Sequence, residues 1–254
     1  MSAARGAALA AAALALVTCA ATAQSLEQRV LAVRNGDVRL SYATKPGVCG
    51  QGEHGISVRG DEDDHDDGWR SDCEAGPARL VLRVRDGQVT DITARVGGHW
   101  VPKSGVTDLG TVPARDASAM LLALARRGTE DAIFPAMIAD SVPNVWRELL
   151  VIARSTNVPQ DARKSAVFWV GQEAAEAATK DLKALVGDEA LESEVRESAV
   201  FALSQRPKDQ AVPALMEVAR TNRDPRLRKS AIFWLGQTDD PRALAYFEEV
   251  LTQK

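Results

Sequence analysis

Three cysteines, three histidines and one dense run of acid are the side chains in this 254-residue sequence whose types suit chemistry, and most of them fall in its first third. His54, His65 and His99 offer imidazoles, but no His-x3-His or Glu-x-x-His spacing puts two ligands on one helix face, so ordinary surface histidines are expected. The acidic run at 61–68 echoes a calcium loop: counted from Asp63, Asp67 falls at position 5, Gly68 at 6 and Glu74 at 12. Against that stand His65 at a ligand position, Arg70 where an apolar residue is usual, and no helical pattern on either flank. A solvated loop is the expectation, with calcium binding as the alternative. His99, Trp100 and Trp69 suggest the lining of a small pocket, although lone aromatics in a small β module usually belong to its core. A serine nucleophile motif, a phosphate-binding glycine loop and a carboxylate pair in a plausible cleft are all missing, so neither catalysis nor a cofactor is expected.

Residues 1–23 read as a secretory signal. Arg5 supplies the positive start, residues 7–17 run apolar, and Ala21-Thr22-Ala23 fits a small-x-small cleavage site before Gln24. Eleven apolar residues are too few to span a bilayer, so no membrane insertion is expected after the signal is removed. The rival is a lipoprotein signal at Cys19, for which Thr18 is a poor preceding residue. A periplasmic or secreted location in the cell envelope follows. Cleavage removes Cys19 and leaves Cys49 and Cys73, which in an oxidising compartment most simply form one disulfide. Closing that loop stabilises by roughly 3 kcal/mol on chain-entropy grounds. A metal pair would need the closer spacing of a zinc knuckle. Charge excludes nucleic acid as a partner. The chain is formally −4, and residues 141–254 hold 16 Lys/Arg against 17 Asp/Glu, whereas a solenoid gripping a phosphate backbone needs a positive surplus.

What positions these residues is repetition. One ten-residue phrase occurs three times, at 163–172 (RKSAVFWVGQ), 196–205 (RESAVFALSQ) and 228–237 (RKSAIFWLGQ), at spacings of 33 and 32. Such a period marks stacked supersecondary units, not one closed core. Each phrase reads as a helix that is apolar nearly all round. In the first copy Ala166, Trp169 and Val170 lie at i, i+3 and i+4, and Val167 and Phe168 widen the arc, so cover on several sides is expected. Ala166, Ala199 and Ala231 stay small where a partner helix crosses, and Gly171, Ser204 and Gly236 stand where each helix stops. A second amphipathic stretch precedes each phrase, at 146–154, 178–186 and 211–220. Asn157-Val158-Pro159, Gly187-Asp188 and Asp224-Pro225 supply the turns, and Asp240-Pro241 introduces a last helix at 243–251. Asp before Pro starts a helix well, because Asp caps free N–H groups and Pro at the first helical position lacks one.

Residues 24–112 have a different texture. Residues 38–43 alternate like a strand, 79–85 do so strictly, Asp86-Gly87 is a hairpin turn, and 89–96 return as the second strand. Four to six short strands clipped by the disulfide make a small β-rich module. After Val112 the period turns helical, and 117–125 with 131–139 form an irregular helical pair that caps the array over 113–142. The array itself takes 143–254. The fold class is therefore α+β, a C-terminal α-solenoid preceded by a small disulfide-linked β-rich module.

The repeat resembles the HEAT-repeat family, in particular its short bacterial variety named after the phycobilisome lyases. Asp224-Pro225-Arg226-Leu227-Arg228 with Ala231 and Leu235-Gly236 matches the family's Asp-Pro turn, apolar-Arg pair, Ala and Leu-Gly ending. Glu194-Val195-Arg196 with Ala199 and Leu203-Ser204 matches with Ser in place of Gly, and Asp161-Ala162-Arg163 with Ala166 and Val170-Gly171 is looser before the Arg. The resemblance covers about residues 145–254 and implies an αα-superhelix. It also implies that Arg163, Arg196 and Arg228 hold successive repeats together through polar groups of the neighbouring unit. On function it is nearly silent, because one array hosts unrelated tasks. With the export signal, the chain looks similar to secreted bacterial HEAT-repeat proteins, and a non-catalytic scaffold that binds a partner protein through its solenoid surface is the expectation. Residues that differ between copies are candidates for partner choice: Lys164, Glu197 and Lys229 share one position, and Arg226 joins Arg223, Arg228 and Lys229 in a basic cluster. Gln172, Gln205 and Gln237, which close the phrases, are further candidates. The alternatives are a cradle for a small apolar ligand, as in phycobilin lyases, and calcium-dependent binding through 61–68.

Overall fold

The computed structural model describes residues 24–50, 56–58, 73–173 and 176–252. The expected signal at 1–23 with Cys19, the acidic run at 61–68, His54, His65 and Trp69 lie outside the described residues.

A short helix, α1 (Leu26–Leu31), begins at a capping box in which Ser25 Oγ accepts from the Gln28 N–H and Gln28 Oε1 accepts from the Ser25 N–H. The strands that follow are β1 (Gly36–Tyr42), β2 (Val48–Gly50), β3 (Ile56–Val58), β4 (Glu74–Ala75), β5 (Ala78–Arg85), β6 (Gln88–Val96) and β7 (Val106–Thr111). Four of them make one sheet in the order β6-β5-β1-β7, with β1 antiparallel to β5 and parallel to β7. Strand alternation sets its faces. Val38, Leu40 and Tyr42 of β1 and Leu80, Leu82 and Val84 of β5 are buried, with Leu40 opposite Leu80 and Val38 opposite Leu82. A slip of one residue would turn this whole row outward, so the register is strongly specified. The other face is polar: Arg39 pairs with Asp108 at 2.9 Å, and Asp37 is held by Lys103 at 3.1 Å and Arg83 at 3.5 Å. Asp86 and Gly87 adopt φ of 50° and 74°, the left-handed pair that a tight hairpin turn needs.

β3, β2 and β4 form a smaller sheet, and the Cys49–Cys73 disulfide joins it at a Cα separation of 5.3 Å. Gly50 brings this sheet against β6 so closely that a Cβ would stand 2.0 Å from the Val96 carbonyl oxygen.

The junction is α2 (Ala114–Arg126), a 3-10 turn (Glu130–Ala132) and a five-residue α3 (Ile133–Met137). The Tyr42 hydroxyl donates to Pro135 O at 2.6 Å and Ser118 Oγ donates to Ala136 O at 3.2 Å, so the sheet and α2 satisfy carbonyls of α3. The apolar residues of sheet, junction and array form one continuous core.

The array comprises α4 (Val145–Arg154), α5 (Gln160–Gly171), α6 (Glu176–Gly187), α7 (Ser193–Ser204), α8 (Lys208–Thr221), α9 (Pro225–Gly236) and α10 (Pro241–Thr252). The three phrases are α5, α7 and α9, each 12 residues long, and α4, α6 and α8 precede them as first helices. Asp224 caps α9, accepting from the Arg226 N–H at 2.9 Å, with Pro225 at the first helical position. Second helices pack closely on one another down the stack while first helices touch little, so the array curves with the second helices inside. Ala166, Val167 and Val170 are buried as expected. Phe168 and Trp169 remain half-exposed, which corrects the expectation of cover nearly all round, because among the described residues no further layer lies inside the curve.

Candidate functional site

Two of the three repeated arginines, Arg163 and Arg196, hold successive repeats together, whereas Arg228 bonds within its own turn. Arg163 is buried; its two Nη atoms donate to Glu192 at 2.6 and 2.7 Å and its Nε to Val158 O at 3.0 Å. Arg196 Nε donates to Val186 O at 3.0 Å, and its Nη1 lies 3.8 Å from Asp224. Each of these two arginines therefore clamps the turn that starts the next second helix. Hydrogen bonds from Arg163 pull the Glu192 carboxyl down to about 2, and the Ser193 hydroxyl, with the Arg226 N–H, lowers that of Asp224. A third clamp was not legible in the repeat, since Glu173 and Thr238 occupy its positions in the other units. Buried Arg206 donates to Gly171 O at 3.2 Å, to Glu173 O and to Thr179 Oγ1 at 2.9 Å, tying the end of α5 to α6 and α8. Burial draws its guanidinium below the usual range.

The inner face carries a ladder of rings. Phe134 of α3 packs on Trp169 at 4.7 Å, Phe168 stacks on Phe201 at 6.1 Å with planes 10° apart, and Phe201 meets Trp234 at 4.9 Å. Edge contacts of 5.1 Å (Phe168–Trp169) and 5.0 Å (Phe233–Trp234) link the rungs. All are half-exposed except Phe233, which is 56% exposed.

Helical spacing sets the polar candidates beside these rings. Lys164, Phe168 and Gln172 stand at i, i+4 and i+8 on α5; Glu197, Phe201 and Gln205 do so on α7, and Lys229, Phe233 and Gln237 on α9. The three glutamines are exposed C-caps, Glu197 and Lys229 are exposed, and Lys164 is half-exposed at 3.5 Å from Asp161. Arg226 stands apart at the start of α9, 3.7 Å from Glu194. Between the first two rows lies a shallow hollow of about 390 Å³, lined by Lys164, Ser165, Phe168, Ser198 and Phe201 among others. The structure thus brings six of the seven candidates into three parallel rows and leaves Arg226 at their edge. Sequence reasoning missed the phenylalanines that run between them, because an apolar residue in an apolar phrase reads as core. The available signal was their shared stripe with the charge-variable position four residues earlier.

In the sheet region His99 is exposed, and Trp100 lies under the Arg39 guanidinium at 5.2 Å instead of in the core. Among the described residues no group of three His, Cys, Asp or Glu is placed to hold a metal, and no helix is long and apolar enough to cross a membrane.

The family model described as HEAT repeats matches residues 147–232 and again residues 189–254. Compared with the curated proteins, the chain finds no match. The family match begins within α4, the first helix of the array, and runs on past α10, over the stretch where the arginine clamps recur. Residues 147–254 are therefore an array of HEAT repeats.

Proposed function

We propose that this chain is an exported, non-catalytic scaffold that binds a partner protein through the inner face of its HEAT array. The observation that carries this reading is the half-exposed ring ladder from Phe134 to Phe233, an apolar strip that no other element covers among the described residues. An aromatic strip with a polar border has the anatomy of a protein interface. Lys164, Gln172, Glu197, Gln205, Lys229 and Gln237 form that border, with Arg226 at one edge. The order plus, minus, plus from Lys164 through Glu197 to Lys229 favours a partner whose charges alternate in the opposite sense. Export is supported by the Cys49–Cys73 disulfide, a bond that persists in oxidising compartments, together with the signal-like segment at 1–23.

The test is mild crosslinking of the purified mature chain in an envelope fraction. The native chain is expected to recover one partner, and Glu197→Lys, a surface change that leaves the core intact, is expected to weaken recovery about tenfold. Recovery of no partner, or equal recovery by the variant, removes this reading.

A further inference from the structure

Positions in α8 and α10 correspond at an offset of 32 residues, as do those in α7 and α9. Val212, Ala219 and Val200 are buried, yet their counterparts Leu244, Leu251 and Ile232 are 64%, 82% and 41% exposed. Gly171 is packed so that a Cβ would meet Ala202 of the next second helix at 2.9 Å, whereas a Cβ on Gly236 would meet nothing within 4 Å. Arg163 and Arg196 reach carboxylates of the following repeat. Among the described residues Arg228 reaches none, and donates to Asn222 O at 2.9 Å and Arg223 O at 3.0 Å, within its own turn.

A helix laid on α9 as α7 lies on α5 would remove every one of these differences, and among the described residues none lies there. α10 seats on α8 through Ala243 and Tyr246, with the Arg220 guanidinium 5.0 Å above the Tyr246 ring and 2.6 Å from Glu249. That is the place of a first helix. The second helix of its pair, which would lie on α9 and cover Leu244 and Leu251, is not among the described residues. The exposed Ile232 of α9 and Leu244 and Leu251 of α10 mark the groove that such a helix would fill.

We propose that this groove takes one amphipathic helix of a partner polypeptide, about 12 residues long like α5, α7 and α9. Its N-cap is Asp or Glu set against Arg228, a small residue lies over Gly236, and its apolar face covers Ile232, Leu244 and Leu251. The array interfaces already present dictate this chemistry: Glu192 and Asp224 supply the acid, and Ala202 the small residue. The start of a second copy's array does not fit. Its acceptor side is filled by Phe134 on Trp169, and Pro159 stands where Glu192 and Asp224 stand in later repeats. This surface is distinct from the inner face, and the inference does not rest on the reading given for that face.

A synthetic, fluorescently labelled peptide with the sequence of residues 190–205, which carries Glu192 at its N-cap and Ala202 at the small position, is the probe for the full chain. Saturable one-to-one binding is expected with a Kd on the order of 10 µM, weakened about tenfold by Glu192→Gln in the peptide. Gly236→Trp in the chain fills open space at an ordinary backbone conformation, so that variant melts like the native chain and loses peptide binding. Glu197→Lys in the chain leaves peptide binding unchanged, which separates this test from that of the inner face. Three results overturn the proposal: no saturation up to about 1 mM peptide, native-like binding by Gly236→Trp, or a native dimer in sedimentation that Gly236→Trp dissociates, which would seat a second copy in the groove.

Discussion

Residues 163–172 and 228–237 differ only at Val167/Ile232 and Val170/Leu235, yet they live in different surroundings. In the first, Arg163 is buried on Glu192, Val167 is fully covered and Gly171 touches Ala202. In the last, Arg228 rests on carbonyls of its own turn, Ile232 is partly bare and Gly236 faces open space. Nearly the same ten residues are an interior interface in one place and, among the described residues, an uncovered face in the other. Burial in a stack is a property of the neighbour, and each repeat is stabilised largely by its contacts with the next.

Paired substitutions sharpen that contrast or break it. The largest effect is expected at the glycines. Gly171→Leu forces α5 and α7 apart and should cost about 3 kcal/mol in a denaturant melt, while Gly236→Leu should stay within about 0.5 kcal/mol. Equal losses would mean that the end of the array is covered in solution. Val167→Ala should cost about 2 kcal/mol, whereas Ile232→Ala should change stability by less than about 0.5 kcal/mol, by the same measurement. Arg163→Met should cost about 1 kcal/mol, a modest figure because the Glu192 side chain is 44% exposed, and Arg228→Met should cost less.

The smallest effect is one of pH. The folded Glu192 carboxyl sits at about 2, below its ordinary 4.5, so its contribution is whole above pH 4.5 and fades as pH falls towards 2. Thermal melts across that window should show the array loosening on acidification, and Glu192→Gln should flatten the curve. An unchanged slope in that variant would remove the clamp from the stability argument.

Much of the fold was legible because its signals are local. The period near 33, the Asp224-Pro225 start and the Asp86-Gly87 turn each depend on a few neighbouring residues and on backbone preferences that hold in any context. α1 and the parallel pairing of β7 with β1 were not legible. The first is six residues long, and the second joins segments about 70 residues apart that carry no mark of each other. The candidate site was read by halves. Lys164, Glu197 and Lys229 stood out by varying in charge, whereas Phe168, Phe201 and Phe233 were hidden by looking like core.

By itself the sequence determined which segments become helices, how often they recur and which cysteines are available to join, since turn chemistry, hydrophobic period and residue type are written along the chain. Only the tertiary structure decided which apolar residues are covered. Phe168 and Val167 are adjacent and both apolar, and a rotation of about 100° along the helix leaves one at the open inner face and the other inside the stack. That choice depends on where the neighbouring helix lies, which no local pattern encodes.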